Sequence, residues 1–522
     1  MPPSTQEWLA EQYHSGRFHL TSAHHHILSD REHEALANGF NSLATETSEG
    51  SRLERTLLVA RIRSRLPLGF SSIFADLVYR ILAYHSTAPF YKSPSTPVPQ
   101  SLSLQDIGRA LAWLLPDRHL SISTTGTHGR ARTPADHRRL LFQSLATHSL
   151  STANNTINEA ARRRYARRNA FDVEERVRDY ASINRDDDGD EMYHDLLDVL
   201  QNNAPENYPY GTTRDHVRPL ARELKADFDF HSLSFARGQL TDLVRALLAL
   251  QFHTNQTVFK PDTSRYLDDA VASVMATFTC DEQDVRDAYS TANGLVTWPS
   301  FDQGLKEIPH LFDPVYRVLN DVLLNGGINI ETIPPIYGVP PELQPDIGTA
   351  DEPHVLSLGR MSLTNAIVPP LIDWDSFKTV GRWSSFSSAL PSSNAMWSNL
   401  KPPALEADDE LQASILAFTG HVRGSDERFV GGVLAAADYD RDDGREQIYS
   451  IYIFRLEPYV RFAKLLGQEW RQGPSGELIF DNTTLSGFRL DLGTMVVGME
   501  LPGVSGQQVI ELDGLEIWKD GQ

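Results

Sequence analysis

The residues of this chain that could do chemistry fall into a few clusters, and each lacks something the chemistry needs. Asp438, Asp440 and Asp442 precede Gly444 in an arrangement close to a calcium loop. Such a loop needs a glycine at its sixth position and a bidentate glutamate at its twelfth. Here the glycine comes one residue late and no closing glutamate stands at the right distance, so a solvated hairpin loop explains the acids as well. The segment Tyr289–Phe301 has a fuller EF-hand outline: an entering helix, the Asn293-Gly294 turn, Val296 as central apolar residue and Phe301 on an exiting helix. With Gly294 at the sixth position, the ligand positions fall on Tyr289, Thr291, Asn293 and finally Ser300. None carries a carboxylate, so the segment reads as a helix-pairing scaffold that holds no ion.

The other clusters are weaker. Adjacent histidines such as His24-His25-His26 rarely converge on one ion without further ligands. Ala160–Arg168, which holds the Arg162–Arg168 cluster, is basic enough to contact phosphate, but Glu174, Glu175 and Asp179 follow closely and suit a solvated, balanced helix face. His33-Glu34 lacks the second histidine of a zincin, and Gly503-Val504-Ser505-Gly506 is not a nucleophile elbow. Neither a phosphate-binding glycine loop nor a dinucleotide fingerprint occurs. The expectation is a protein with no catalytic, cofactor-binding or metal-binding residues.

The bulk properties point the same way. A formal net charge of −21 opposes broad contact with nucleic acid. Hydrophobic content of 40% with 22% charged residues is that of a soluble globular protein, and 522 residues suffice for two or more domains. The lone Cys280 excludes an internal disulfide and fits a reducing compartment. Met1-Pro2-Pro3-Ser4 does not open a signal peptide and offers no glycine for myristoylation. The best apolar run, Leu240–Phe252, carries Asp242 and Arg245, so no integral membrane segment is expected.

The elements that would hold these residues divide the chain in two. Helical spacing dominates the first 324 residues. Ser29 with Glu32 forms a capping box ahead of Leu36, Phe40 and Leu43, and Phe70–Tyr84 is periodic. Ser103 caps a helix to Leu115, and Thr133-Pro134 opens another. Gly238–His253 and Ser264–Phe278 are helical, and Asp313-Pro314 caps a further helix. Stretches 121–132 and 183–212, the latter with the acidic run Asp186–Glu191, read as loops. Residues 325–353 turn to glycine and proline and read as a linker, and Pro391–Glu410 reads as a long loop. No repeat of fixed period is visible.

Residues 354–522 then read as strands: Ala413–Phe418, Phe429–Ala435, Ile448–Phe454, Phe488–Leu492 and Ile510–Trp518. Phe488, Leu490 and Leu492 alternate with Arg489 and Asp491 as in a half-buried strand. Ile448–Phe454 is apolar on both faces, which predicts a central position. In the last strand Ile510 and Leu512 share a face, then Leu515 and Ile517 follow after a one-residue phase change at Asp513-Gly514, where a bulge can form.

Three pieces of the chain resemble a known family. The run Leu295-Val296-Thr297-Trp298-Pro299-Ser300-Phe301, continuing to Pro309-His310-Leu311-Phe312-Asp313-Pro314, is similar to the segment ahead of the TLDc domain in the fungal restriction of telomere capping protein 5 family. Leu28–Ala44 resembles that family's first helix, and Ile510–Trp518 resembles the closing strand of TLDc domains. Phe429-Val430-Gly431-Gly432 and Ile453-Phe454 fall where that domain has two core strands. The Leu-Tyr-Ser segment and the glycine-serine turn usual near the start of the domain are not recognisable around Trp383–Ala389. The resemblance implies an α+β protein, with a helical, EF-hand-like N-terminal region followed by a TLDc-type β-sandwich with flanking helices. It implies a non-enzymatic cytoplasmic adaptor connected with a process influencing telomere capping and acting by protein binding, with the vacuolar proton-pumping ATPase (V-ATPase) as candidate partner. The alternatives are a role in oxidative-stress resistance, as for other TLDc proteins, and nucleic-acid contact through Arg162–Arg168.

Overall fold

The computed structural model describes residues 28–48, 50–65, 72–90, 96–115, 118, 134–150, 191–202, 214–225, 228–252, 267–278, 294–324, 358–367, 377–384, 414–439, 447–466, 471–472, 478–481, 487–491, 494–501 and 507–520. The His24-His25-His26 run, Ala160–Arg168, Asp186–Asp190, Cys280, Tyr289–Asn293, the 121–132 loop, the 325–353 linker, Pro391–Glu410, Asp440, Asp442 and Gly503–Gly506 lie outside them. The described chain is α+β: helices with short strands up to residue 324, then one helix and a large antiparallel sheet.

Helix α1 (Asp30–Asn41) starts as its sequence predicts: the Ser29 amide donates to Glu32 Oε2 at 2.6 Å, and the Glu32 amide donates to Ser29 Oγ at 3.4 Å. Strands β1 (Thr45–Thr47) and β2 (Gly50–Glu54) lead directly into α2 (Arg55–Arg65), followed by α3 (Ser72–His85). Strand β3 (Ser101–Leu102) leads into α4 (Leu104–Leu114), which Ser103 caps with Asp106 in a second capping box. Then come α5 (Pro134–Leu145), β4 (His148–Ser149), α6 (Glu191–Asn202) and α7 (Arg214–Leu224). Strand β5 (Leu233–Ala236) runs into α8 (Arg237–Ala249); after α9 (Asp268–Thr277), β6 (Leu295–Thr297) runs into α10 (Trp298–Glu307), and α11 (Asp313–Leu323) closes this half.

Helix α6 occupies part of the 183–212 stretch read as a loop. Its Met192, Leu196 and Val199 recur every three to four residues and are buried, so burial of that stripe overrides the acidic residues before it. Asp313 is the first residue of α11 rather than its cap. Its carboxylate lies 3.0 Å from His310 Nδ1, and an acid in the first turn suits the helix dipole without capping it.

The short strands join the helices in pairs, and the two pairs are built alike. In one, β2 lies antiparallel to β3 with Leu53 opposite Leu102, and the Arg55 amide donates to the Gln100 carbonyl at 2.7 Å. In the other, β5 lies antiparallel to β6 with Phe235 opposite Val296, and the Arg237 amide donates to the Gly294 carbonyl at 2.9 Å. In each pair the first residue of one helix is tied to the carbonyl just before the partner strand. Gly294 sits at φ +76°, which an L side chain rarely adopts. Around the second ladder Phe142, Phe230, Phe235, Trp298 and Phe301 form one aromatic cluster with centroids 5.6–5.9 Å apart. Gly39 of α1 lets that helix approach α11: a Cβ there would stand 1.8 Å from the Leu323 carbonyl oxygen.

Helix α12 (Leu358–Ile367) precedes the sheet, whose strands are β7 (Phe377–Ser384), β8 (Ser414–Val422), β9 (Arg428–Tyr439), β10 (Gln447–Glu457), β11 (Arg461–Leu466), β12 (Arg471–Gln472), β13 (Leu478–Asp481), β14 (Gly487–Asp491), β15 (Val496–Glu500) and β16 (Gln508–Asp520). They form one ten-stranded antiparallel sheet in the order β11-β10-β9-β8-β16-β15-β14-β13-β12, with β7 beside the end of β16. Strand β16 organises it, pairing with β8 along one edge and with β15, then β7, along the other. The Asp513-Gly514 phase change is a bulge: Leu512 lies opposite Gly420 and Gly514 opposite Thr419, leaving Asp513 as the extra residue. Residues Ile451–Leu456 of β10 are buried on both faces as their composition requires, although the strand lies next to the β11 edge rather than at the centre.

The two faces have different partners. Leu416, Phe418, Val433, Ile451 and Ile453 point to a core shared with Phe488, Leu490, Val497 and Met499, so the sheet curls over and covers itself instead of stacking on a separate sheet. Ile415, Ala417, Val430, Leu434, Tyr452, Phe454 and Trp518 point the other way and belong to the core of the helical half. Gly432 is needed on that face, because the ring of its cross-strand partner Phe454 lies 2.6 Å from where a Cβ would stand.

Candidate interaction site

Where β10 ends, a wholly buried arginine ties three separate parts of the sheet together. Arg455 follows the apolar run Ile451-Tyr452-Ile453-Phe454, and alternation points it to the curled-over face, against Phe429. Its guanidinium carbon lies 4.8 Å from the Phe429 ring centre and 4.0 Å from that of Tyr459. It donates to the Glu457 carbonyl, to the Tyr459 hydroxyl and to Gln508 Oε1, each at 3.1 Å, and to the Glu427 carboxylate. Burial pulls the guanidinium below its ordinary range, while the Tyr459 and Glu427 contacts oppose that shift.

These bonds fix a charged rim. Glu427 belongs to the turn between β8 and β9, where Gly424 has φ +81° and Val422 N–H donates to the Glu427 carbonyl at 3.0 Å. The Arg423 amide donates to the Val509 carbonyl at 2.8 Å, clamping the turn to the start of β16. Arg423 and Glu511 pair at 2.8 Å, mostly in solvent, and His421 and Asp513 pair at 2.7 Å, about half exposed. Beneath the rim, Arg360 of α12 donates to Glu457 Oε1 at 2.7 Å, and Arg428 reaches the same carboxylate at 3.9 Å. The arrangement holds exposed charges of both signs on a rigid base, which suits a complementary protein surface more than a small ligand.

Of the residues singled out by sequence, the structure brings few together. Ser300, the last EF-hand position, has its hydroxyl 3.5 Å from Thr297 Oγ1 and turns back on its own helix. Asp438 lies in β9 opposite Ile448. Among the described residues no three His, Cys, Asp or Glu side chains are placed to hold a metal ion, and no helix is long and apolar enough to cross a membrane. Sequence reading missed the Arg455 cluster because its partners are distant in the chain. The one available signal was a single charge closing a run of four apolar strand residues.

The residues around Arg455 form a mixed-charge rim on an α+β scaffold. No family model matches the chain, and no curated protein does.

Proposed function

We propose that the chain is a non-enzymatic cytoplasmic adaptor of the restriction of telomere capping protein 5 kind, with its sheet as a TLDc-type domain and its helical half as a degenerate EF-hand-like region. The two strand-linked helix pairs support the second assignment, and the long closing strand Gln508–Asp520 supports the first. The observation that carries the functional reading is the rim Arg423–Arg428, held rigid by a buried cation and facing solvent with Arg423, Glu427, Arg428 and Glu511. In this reading the rim docks onto a protein complex, with the vacuolar proton-pumping ATPase as the first candidate, and the connection to telomere capping is indirect. The test is affinity purification from fungal cytosol at native expression, beside an Arg423→Glu/Arg428→Glu variant. Wild type should recover ATPase subunits and the variant should lose most of them while melting at the same temperature. Recovery of none in fed and starved cells removes that partner; equal recovery by the variant removes the rim.

A further inference from the structure

A second site lies in the helical half, on the far side of the chain from the rim in sequence. Between α3, α5 and the extended segment before β3 is a cleft with about 60 Å³ of open space, its apolar walls made by Ala83, Ala146 and Pro97-Val98-Pro99. A water needs roughly 10–15 Å³ of such space, so the cleft takes a few waters or one carboxylate-sized group.

Its polar side is unusual in what it leaves unused. Arg80 lines the cleft and donates through Nη2 to the Ala146 carbonyl at 2.7 Å. No carboxylate pairs with it among the described residues, and burial alone pulls its guanidinium below the ordinary range with no acidic neighbour to oppose the shift. A guanidinium has five N–H donors, and one carbonyl satisfies a single donor. Gln143 is 1% exposed, lines the same cleft, and is held by its Oε1, which accepts from Arg139 Nη1 at 3.1 Å. Its Nε2 is buried with no acceptor. Thr87 and Ser144, also in the lining, already donate their hydroxyl protons to the Tyr84 and Leu141 carbonyls. Among the described residues the cleft therefore offers unpaired donors and one positive charge without a counter-charge, in a chain whose net charge is −21. A half-buried cation without a counter-charge is costly, and a bound anion relieves that cost.

We propose that this cleft is a carboxylate-binding site in which Arg80 grips the carboxylate, Gln143 supplies a further amide donor, and the Pro97-Val98-Pro99 wall takes a short aliphatic stem. A planar carboxylate matches the guanidinium fork in two parallel bonds, whereas a phosphate dianion would leave charge unmet by a single arginine. The stem points to an organic acid of a few carbons or to the side chain of a glutamate in a peptide.

The experiment is titration of the full chain, followed by calorimetry and by thermal shift, with butyrate, with N-acetyl-glutamate amide, and with inorganic phosphate. Saturable binding of either carboxylate, stronger than phosphate, is expected. Preference for butyrate identifies a free acid as the source, and preference for the glutamate derivative identifies a peptide. Arg80→Met should weaken binding by at least about tenfold, and Arg80→Lys, which keeps the charge without the fork, should fall between. Gln143→Met is the second variant, should Arg80→Met fail to fold, and should also weaken binding. No saturable response to either acid in a folded wild-type chain, or undiminished binding in folded Arg80→Met, overturns the site.

Discussion

His85 shows how much a single buried group can set. It is fully enclosed at the end of α3, its Nδ1 lies 2.7 Å from the Ile81 carbonyl, and its Nε2 has no partner. Desolvation, with smaller contributions from nearby His137 and Arg139, depresses its pKa from 6.5 to about 3, while the Ile81 bond opposes the shift. The folded state thus keeps the ring neutral, and the unfolded chain binds the proton first. The stability this confers is present above pH 6.5 and is lost as pH falls toward 3. Between pH 7 and pH 5 the loss from this one group should be about 2 kcal/mol. Urea unfolding at the two pH values checks it: His85→Asn, which keeps a donor and cannot titrate, should lose about 2 kcal/mol less than wild type. Equal losses would mean the ring is already charged in the fold. At this scale the capping serines were legible, because Ser29 with Glu32 and Ser103 ahead of Ile107 and Leu111 act within one helical turn. Arg80, Arg455 and His85 were not, because burial of a polar side chain depends on elements far away in the chain.

Among the elements, those whose residues face two directions alone were legible, and those that need a neighbour were missed. Strands β8, β9, β10, β14 and β16 announce themselves by alternation or by a continuous apolar run. Strands β7, β11, β12, β13 and β15 carry weaker patterns, and β5 is four residues long and depends on its neighbours β4 and β6. Helix α6 was hidden by the acidic run before it. The resemblance between the β2–β3 and β5–β6 pairs was invisible because backbone geometry repeats there while side chains do not. The bulge in β16 is the sharpest element-level case. Ile510, Leu512, Leu515 and Ile517 all reach the curled-over core, and in an unbulged strand of this sequence the last two would face the other way. Deleting Asp513 restores strict alternation and keeps all four on one face, so that variant should fold with modest loss. Deleting Glu516 moves Ile517 and Trp518 to the wrong faces and should abolish folding of the sheet. Soluble yield and near-ultraviolet circular dichroism of the two variants distinguish these outcomes; loss of structure in both would show that the bulge is required for its own shape.

At the scale of the whole molecule, the sequence divides where the structure joins. The change of composition at 325–353 marked two halves, yet one core runs from Leu28 to Trp518 and includes Tyr452, Phe454, Leu456 and Val460 of the sheet half. Nothing in local periodicity carries that fact, because each half satisfies its own pattern and the shared face is simply apolar. Helix α12 packs on α8, α9 and β10, and the His310 amide donates to the Ala366 carbonyl at 2.9 Å. Arg461 of β11 lies 3.7 Å from Glu307 of α10, whose carboxyl burial pushes up and Arg461 pulls back down. A buried polar tie joins the halves: the Val460 amide donates to Thr277 Oγ1 at 2.8 Å, while the same hydroxyl donates to the Ser273 carbonyl at 2.8 Å. Thr277→Val keeps the shape but leaves that amide without an acceptor, which should cost about 1–3 kcal/mol, whereas Thr277→Ser should cost less because it keeps the oxygen. Because the core is continuous, the loss should appear equally in probes of either half: fluorescence of the buried Trp113 and Trp518, each in an otherwise tryptophan-depleted chain, should report one common, lowered transition. A shift seen at Trp518 alone would mean that the halves unfold separately and that the shared core does not couple them.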